Sequence, residues 1–391
     1  MINVLICRSE FINIYINNKV NIKILIIIIL SFCIFICEQA QAVEFIARGR
    51  ANEMYDDNIN TSPEDPESDW VTNLMLGVAL RSEGRTREFE LSGNLYQRFY
   101  ISHEEMNEFY QDMILSINKS FTENITLVIS DTFQNYPSAQ SFGAMFERGE
   151  DDEGYMRNDF ASGLTFQLTR KLFFTGVYNN TILKNDNRTI ADSVLHSPGA
   201  IIEYYFNSAN IVRAGYMYSL MKYDDGSESK GERGYVEYEK FFTNQLRGIV
   251  NGGYDYVRMA DGESLNTRYM ASLIDEIDER NELNISFLKE STISNITNDT
   301  LNNWRISAAF ECEVSSRTSV DMTLFYGEGV YEVSRVRDKL GGFSSNLSFA
   351  VSEFVDFEAG YTFVYSSSKR PGLDEASYNR NQVYVGVSGE Y

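Results

Sequence analysis

The sequence predicts an all-β fold in which about 18 strands, or 16, form an up-and-down antiparallel barrel. Three observations predict it. Apolar and polar residues alternate with a period of two along most of residues 43–391. Tight turns recur about every 37 residues, so one hairpin is repeated along the chain. The chain ends in a strand of the same kind, whose last residue is the aromatic Tyr391.

The N-terminal segment has the three parts of a secretory signal peptide. Two lysines precede an apolar run over residues 24–37, and the small-residue sequence Ala40-Gln41-Ala42 follows. The run of about 14 residues is shorter than the ~20 that a membrane-spanning helix needs, which argues against an anchoring helix. We therefore predict a cleaved signal peptide over residues 1–42 and one barrel domain over residues 43–391.

Composition and charge exclude several classes of protein. The chain has 34 Lys and Arg against 56 Asp and Glu, a net charge of −22. Residues 1–42 hold three of the basic and two of the acidic residues, which leaves 31 basic and 54 acidic residues and a net charge of −23. Nucleic acid binds basic faces, so it is excluded as a partner. Cys312 is the only cysteine outside residues 1–42, so no internal disulfide can form.

The strands follow from the alternation. In strand two, Leu74 and Leu76 face one way while Asn73 and Met75 face the other. The same pattern predicts strands over 44–55, 70 to a turn at 83–85, 88–99, 108–119, 124–135, 157–169, 171–182, 199–207, 210–222, 232–243, 245–257, 265–276, 282–291, 303–315, 318–328, 341–351, 354–366 and 382–391.

Short and long connections alternate along the chain. Short turns are predicted near residues 84, 121, 170, 208, 244, 279, 316 and 352. Longer polar connections are predicted at 56–69, 136–153, 184–197, 223–231, 258–264, 292–302, 329–340 and 367–380. In a transmembrane barrel short turns lie in the periplasm and longer loops are extracellular, so an even strand count puts both termini in the periplasm. Residues 273–282 also allow a short helical turn.

The closing strand, residues 382–391, resembles the C-terminal signal that the outer-membrane assembly machinery recognises. Gly386 lies five residues before the terminal aromatic Tyr391, as in the usual form of that signal. Gly389 departs from it, because a second large apolar residue is usual there. The resemblance implies the assembly machinery, outer-membrane lipid and lipopolysaccharide as partners. It also implies the outer membrane of a Gram-negative cell as the location.

Aromatic residues mark both rims of the predicted barrel. Trp70 and Trp304 begin strands that descend from the outside, so we expect them in the outer aromatic girdle. Aromatic residues near the periplasmic ends suit the inner girdle: Phe121, Phe174, Phe206, Phe242, Phe354 and Tyr391. A soluble β-sandwich would alternate as well, but its inward face would have to be apolar. The inward face here carries too many charges for a dry core.

The inward charges predict a water-filled lumen, because barrels of 16–18 strands leave an aqueous channel. We expect twelve charged side chains to line this pore: Arg48, Arg50, Glu88, Glu90, Arg98, Arg213, Glu237, Glu239, Arg247, Arg305, Glu311 and Glu313. Mixed signs inside and acidic loops at the mouth favour near-neutral polar solutes over small anions. Tyr96, Tyr110 and Tyr384 would offer sugars apolar faces with hydroxyl groups.

No catalytic constellation is recognisable. His103 and His196 each adjoin a serine, but neighbours in sequence rarely face each other. We expect both to be exposed loop histidines and Cys312 to be an inert residue on the lipid face. The sequence holds no metal-ligand cluster, phosphate loop or nucleotide motif, so neither an enzyme nor a cofactor is predicted.

Four acidic segments fall in or beside predicted loops: Asp56-Asp57, Glu64–Asp69, Glu150–Glu153 and Asp224-Asp225. Carboxylates of this kind can hold divalent cations near lipopolysaccharide. Their spacing matches no calcium-binding loop, so solvation alone is the simpler expectation.

The sequence Tyr55-Asp56-Asp57-Asn58-Ile59, at the end of the first strand, is a hallmark of β-barrel porins encoded with exopolysaccharide and capsule gene clusters. Asp69-Trp70-Val71-Thr72, which opens the second strand, adds to the likeness. The chain resembles that family over nearly its whole length after residue 42. The resemblance implies a role in the export or anchoring of surface polysaccharide, and it offers no catalytic residues. Two alternatives stay open: a structural or adhesive barrel whose acidic loops bind partners, and a general solute porin.

Overall fold

Eighteen strands form one antiparallel sheet in which each strand pairs with its neighbours in the chain and the first also pairs with the last. The predicted closed barrel of 18 strands is therefore confirmed. The structure, a computed structural model, describes residues 43–136, 154–186, 191–259, 262–293 and 299–391. The predicted signal peptide, residues 1–42, lies outside the described residues.

The strands are 12 to 17 residues long. They are β1 (Glu44–Asp56), β2 (Asp69–Gly84), β3 (Arg87–Tyr100), β4 (Glu108–Thr122), β5 (Ile125–Tyr136), β6 (Tyr155–Gln167), β7 (Leu172–Asn185), β8 (Ser193–Asn207), β9 (Asn210–Tyr223), β10 (Glu228–Phe241), β11 (Leu246–Met259), β12 (Gly262–Asp278), β13 (Asn281–Ile293), β14 (Thr300–Ser315), β15 (Thr318–Tyr331), β16 (Arg337–Ala350), β17 (Val355–Lys369) and β18 (Ala376–Glu390). One short 3-10 helix, Glu104–Met106, lies between β3 and β4. No helix in the described residues is long and apolar enough to cross a membrane.

The seam between β1 and β18 closes the sheet. Residues 48–56 of β1 pair with residues 390–382 of β18. Just beyond the ladder, the backbones of Ala47 and Tyr391 exchange two hydrogen bonds of 2.8 and 2.9 Å. The ring of Tyr391 also contacts that of Phe354, with 5.8 Å between centroids. The terminal aromatic residue thus joins both the first strand and the turn before β17.

Contacts between non-adjacent strands identify the inner face of the barrel. Arg233 on β10 donates a hydrogen bond to Glu290 on β13 at 3.1 Å, across β11 and β12. Side chains converge in this way only on the concave side of a curved sheet. Alternation along each strand then assigns every second residue to the inside. Large apolar side chains on the other face are exposed, as expected for contact with lipid; Leu76 is 70% exposed and Val236 is 58% exposed.

The short turns lie at or beside their predicted positions. At the opposite end several strands run further than predicted. β8 begins at Ser193 instead of residue 199, and only residues 224–227 join β9 to β10. The backbone ladder continues there although polar residues such as His196 and Lys222 interrupt the outward apolar face, so regular apolar alternation no longer marks the strand. Residues 273–282 contain no helical turn, because β12 continues to Asp278.

The last part of β13 separates from β12, although it stays paired with β14 as far as Ile293 and Thr300. Pairing between β12 and β13 begins only at Tyr269 and Lys289, whereas β12 pairs with β11 from Gly262 onward. We call residues 290–293 the inward segment, because they lie over the inner face of β10 and β11. The main-chain N–H of Ser291 donates to Asp255 at 3.0 Å, and Ile293 packs over Gly231. The inward segment therefore narrows the lumen on this side.

Candidate functional site

The inner face is the candidate site. Strand alternation puts all twelve predicted pore-lining side chains on it. That they line a conducting pore stays a prediction. The structure does show which of them meet one another and which have other partners.

The largest cluster is centred on Arg213 of β9. Its Nη1 donates to Glu237 at 2.8 Å and to Glu239 at 2.7 Å, and its Nε donates to Glu203 at 2.5 Å. Arg247 of β11 lies 3.7 Å from Glu239. Four predicted residues are thus joined in one network with Glu203. Glu239 is buried, and its contacts with two guanidinium groups offset the cost of burying its charge.

The other predicted residues have separate partners. Six of them meet residues that were not among the twelve: Arg48 meets Glu390, Arg50 meets Glu358, Arg98 meets Glu108, Glu90 meets Arg81, Arg305 meets Glu290 and Glu88 meets Asn118. No contact joins Arg48, Arg50 or Arg98 to Glu88 or Glu90 in the described part of the chain. The predicted arginines of β1 and β3 and the predicted glutamates of β3 therefore pair with residues that the sequence analysis did not single out, and not with one another.

Glu290 of the inward segment is a second centre of charge. Arg268 donates to its carboxylate at 2.6 Å and Arg233 at 3.1 Å, and Arg305 lies 3.9 Å away. Arg233 also donates to Asp255 at 2.7 Å. These contacts hold the inward segment against the inner face of β10 and β11. Charge pairs as well as apolar packing therefore stabilise the narrow part of the lumen.

Four carboxylates form a second feature, which we call the acidic row: Glu276, Glu282, Glu311 and Asp321. They lie directly opposite one another in the register of β12, β13, β14 and β15, close to the short turns. All four are exposed, and within the described residues none of them forms a salt bridge. Glu313, the last predicted acid, lies two residues beyond Glu311 and lines the same cavity of about 390 Å³. This end of the lumen is therefore strongly negative.

A different surface lies on β18, β1, β3 and β4. We call it the arginine–tyrosine wall, formed by Arg50, Arg98, Tyr96, Tyr110 and Tyr384. The rings of Tyr96 and Tyr110 are stacked, 4.6 Å apart and 5° from parallel. The guanidinium of Arg98 lies 5.1 Å from the Tyr110 ring, and that of Arg50 lies 5.5 Å from the Tyr384 ring. The tyrosines thus hold the guanidinium groups through cation–π contacts.

The hallmark sequence at the end of β1 forms a latch across the seam. Asp56 is fully buried and accepts three hydrogen bonds from Arg380 of β18, at 2.7 to 3.1 Å. Gln382 and the main-chain N–H of Asn58 donate to the same carboxylate at 2.8 and 3.0 Å. Because a buried charge is costly unless paired, this seam latch must form for β1 and β18 to close.

The next residues of the motif extend the latch into the loop. Asp57 accepts two hydrogen bonds from Asn381, from its main-chain N–H at 2.6 Å and its side-chain amide at 2.7 Å. Asn58 donates to the main-chain oxygen of Asn379 at 3.1 Å. Ile59 is buried in a small core against β2 and β3. The motif therefore has a structural role that the sequence alone did not indicate.

Asp69 ties together the two loops above this wall. Its carboxylate accepts hydrogen bonds from the main-chain N–H groups of Ser102 and His103, at 2.9 and 3.0 Å, and lies 3.0 Å from Nδ1 of His103. The other ring nitrogen of His103 is 3.4 Å from Glu67. The hydrogen bond with Asp69, and then the nearby charge of Glu67, raise the pKa of His103 above its ordinary value. The expectation of a plain exposed histidine was wrong here.

His196 is also placed differently from the prediction. It lies in β8 and on the outer face, where Tyr178 is its hydrogen-bond partner at 2.8 Å and Asn180 lies 3.2 Å from the same ring nitrogen. The prediction failed because the strand continues beyond its apolar part. Neither histidine forms a hydrogen bond with a serine side chain among the described residues.

Three residues of the acidic segments need a similar correction, whereas Glu64, Asp65, Asp224 and Asp225 are exposed, as expected. Asp56, Asp57 and Asp69 were expected to be solvated or to hold cations, yet protein donors already occupy their oxygens. Glu150–Glu153 lies outside the described residues. Within the described residues no group of three or more His, Cys, Asp or Glu side chains could hold a metal ion.

Several residues of the site were missed from the sequence. Arg380 fell in the predicted connection 367–380, because the polar Asn379 and Asn381 face outward and hide the start of β18. Its position two residues before Gln382, on the same face, was the one available signal. Glu290 was placed in a strand, but no local signal indicates that this strand turns inward.

No protein-family model matches the chain, and no curated protein sequence matches it significantly. Among solved structures, OccK2 (OpdF) of Pseudomonas aeruginosa is 12% identical, with a TM-score of 0.47 over 90% of this chain and 98% of that one. OpdO of Pseudomonas aeruginosa is 10% identical, with a TM-score of 0.48 over 90% and 98%. OccAB3 of Acinetobacter baumannii is 11% identical, with a TM-score of 0.44 over 89% and 99%. All three TM-scores are below 0.5, so no function is inferred from this likeness.

Proposed function

We propose that this chain is a channel of the Gram-negative outer membrane through which polar solutes pass. One observation carries the proposal: charged side chains on the inner face stay open to water. The side chains of Arg213, Arg50 and Arg247 are 25, 35 and 37% exposed. A dry interior would not tolerate them at this exposure, whereas the apolar outer face suits lipid.

The route to the membrane belongs to the same proposal. The signal peptide, residues 1–42, would be removed after export, and the assembly machinery would recognise the closing strand and insert the barrel beside lipopolysaccharide. Val43 is then the expected first residue of the mature protein. Sequencing the N-terminus of protein taken from outer membranes tests this, and a retained leader would contradict it.

For the cargo we propose an oligosaccharide or polysaccharide connected with surface polysaccharide. The support is the resemblance around Asp56 and Asp69 together with the mixture of tyrosines, amides and arginines on the inner face. The comparisons add nothing to the exopolysaccharide association, and a general solute porin fits the same lumen equally well. A deletion strain separates the two: loss of secreted polysaccharide favours export, whereas normal secretion with impaired uptake of a small solute favours a general porin.

A second candidate is a structural or adhesive barrel whose lumen does not conduct. The observation that favours it is the inward segment, fixed over β10 and β11 by Glu290 and Ser291. The acidic loops support it less, because Asp56, Asp57 and Asp69 are already engaged within the protein.

Planar-bilayer recording of purified protein distinguishes the candidates. We expect stable conductance steps, together with heat-modifiable migration on semi-native gels, which marks a folded barrel. A folded barrel that gives no conductance would contradict the channel and favour the structural role. Glu290→Gln should increase the conductance if the inward segment limits it, since three arginines would lose their common partner.

A further inference from the structure

The arginine–tyrosine wall is positively charged, whereas the whole chain has a net negative charge. A cavity of about 350 Å³ lies against this wall, and three arginines line it: Arg50, Arg98 and Arg380. No carboxylate of the described residues lines the cavity, although the chain carries 22 more negative than positive charges. The carboxylates of Glu358 and Asp56, which pair with Arg50 and Arg380, are not among the residues that line it. The cavity thus presents hydrogen-bond donors to whatever enters it.

Arg50 has hydrogen-bonding capacity that the described residues do not use. Its Nη2 pairs with Glu358, but its enclosed Nε has no acceptor among the described residues. An enclosed N–H group without an acceptor is costly, so Arg50 is incompletely satisfied by the protein. About a third of the side chain, 35%, stays exposed. An acceptor-rich ligand in the cavity would meet the exposed N–H groups of this guanidinium.

The ring of Tyr384 fixes the orientation of the Arg50 guanidinium. The guanidinium lies over the ring of Tyr384, whose hydroxyl donates to Asn346 at 2.7 Å. The ring lies against Gly360, where a Cβ would come within 2.4 Å of the ring carbon Cε1. Glycine is therefore required for this close approach. A guanidinium held flat in this way can meet a carboxylate with two parallel hydrogen bonds, the strongest geometry available to arginine.

The rest of the lining suits a sugar ring. The amides of Asn52, Asn73 and Gln382 also line the cavity. Asn73 donates to Asn52 and Gln382 donates to Asp56, but an amide has two N–H groups and two lone pairs, so further positions are left for sugar hydroxyls. The volume lies at the lower end of the ~300–1,000 Å³ range of small-molecule sites, so the cavity holds a small unit at one time.

We propose that this cavity binds a sugar unit that carries a carboxylate, such as a uronic acid residue. The proposal rests on the proposed function and deepens it, since it assigns an acidic saccharide to the channel where the sequence favoured near-neutral solutes. Arg50 binds the carboxylate, and the amides bind the hydroxyls. The site would let an anionic chain pass a protein whose net charge repels it.

The test compares two trisaccharides on the full-length mature protein in detergent, by isothermal titration calorimetry. The probes are trigalacturonate and the neutral maltotriose. We expect trigalacturonate to bind at least about tenfold more tightly, as a charge-assisted bidentate pair would give. Arg50→Gln should remove most of this preference.

Arg247→Gln is the matched control. Arg247 also lies on the inner face, is similarly exposed at 37%, and its enclosed Nε likewise has no acceptor among the described residues. It lies on β11, however, and does not line this cavity. We expect its preference for trigalacturonate to stay within about twofold of the wild type. If both variants lose the preference for trigalacturonate equally, the preference comes from the overall charge of the lumen, and the proposed binding site is wrong. Equal binding of both sugars by the wild type would overturn it too.

Bilayer recordings separate this inference from the proposed function. Conductance without any preference for trigalacturonate would refute the site and leave the channel standing. A calorimetric preference that depends on Arg50 in a barrel that does not conduct would support the site and refute transport.

Discussion

The arginine–tyrosine wall and the acidic row lie in the same lumen but differ in how their charges are paired. On the wall, Arg50 and Arg98 each have a carboxylate partner, and Arg380 beside it has the buried Asp56. In the acidic row four carboxylates face one another across neighbouring strands, and none forms a salt bridge within the described residues. Both belong to the same inner face, so strand alternation alone does not explain the difference.

Burial explains it. Asp56 is fully buried, and an unpaired charge there would cost several kcal/mol. The acidic row is exposed near the short turns, where water and counterions screen the repulsion. The comparison shows that the buried charge of Asp56 has a partner of opposite charge. The unpaired negative charges of the acidic row lie where water can reach them.

The largest expected effect comes from breaking the seam latch at its buried end. Asp56→Ala removes the buried carboxylate that pairs with Arg380, whose side chain is only 15% exposed, and breaking a buried pair costs about 3–5 kcal/mol. We expect the free energy of unfolding, measured in urea with detergent-solubilised barrels, to fall by about this amount.

Glu390→Ala is the control for that experiment. It breaks a pair of 2.8 Å with Arg48 that crosses the same seam, but Glu390 is 60% exposed. An exposed pair contributes about 0–1 kcal/mol, so this variant should stay near the wild type. If both variants lose the same stability, burial does not govern pairing here.

The acidic row gives a smaller and opposite effect. Glu311→Gln removes the carboxylate between Glu282 and Asp321, and relief of like-charge repulsion across strands should stabilise the barrel by about 0.2–1 kcal/mol. The gain should shrink in high salt. The cation preference of the channel, measured as a reversal potential, should fall as well.

Glu313→Gln provides the comparison for the row. Glu313 is on the same strand and equally exposed, but its partner in the ladder is Ser319. We expect no gain in stability from this change. A loss of stability in Glu311→Gln would mean that the row binds a cation, which would overturn its description as unpaired.

The smallest expected effect concerns His103, above the wall. Its pKa is raised by the hydrogen bond with Asp69, so the folded protein favours the protonated ring. The stabilisation is fully present below the ordinary pKa of about 6.5 and is lost as the pH rises through the raised value. NMR titration should show the raised pKa, and thermal stability should decline over this range.

His103→Gln removes the titrating group and should abolish that part of the pH dependence. An unchanged pH profile in this variant would assign the dependence to another group. Glu67→Gln should lower the pKa of His103 only in part, because the hydrogen bond with Asp69 remains.

The fold was predictable because its signals are local. Apolar alternation and the spacing of the short turns lie within hairpins, and a closed sheet of 18 strands follows once the last strand repeats the pattern. Strand ends were less predictable, since β8 and β18 continue where outward residues such as His196 and Asn379 are polar. A ladder of backbone hydrogen bonds leaves no trace in hydrophobicity there.

The site was predictable only as a list of inward charges. Arg213, Glu237 and Glu239 proved to be partners because their strands are neighbours. Asp56 was taken for a loop acid, since its partner Arg380 lies 324 residues away and nothing local indicates it. The inward course of β13 had no signal either, because it depends on contacts with β10 and β11.

The seam has a consequence for the time course of assembly. Asp56 and Arg380, the charged pair of the seam latch, are 324 positions apart, so their contact has nearly the largest sequence separation that the barrel allows. Contacts of such separation require closure of a very long loop and form slowly. Seventeen hairpin pairings can form between neighbours in the chain, and until β18 arrives β1 remains an open edge. Closure should therefore be the last step of folding, and slowing it should leave a nearly complete sheet whose free edge is prone to pair with another chain.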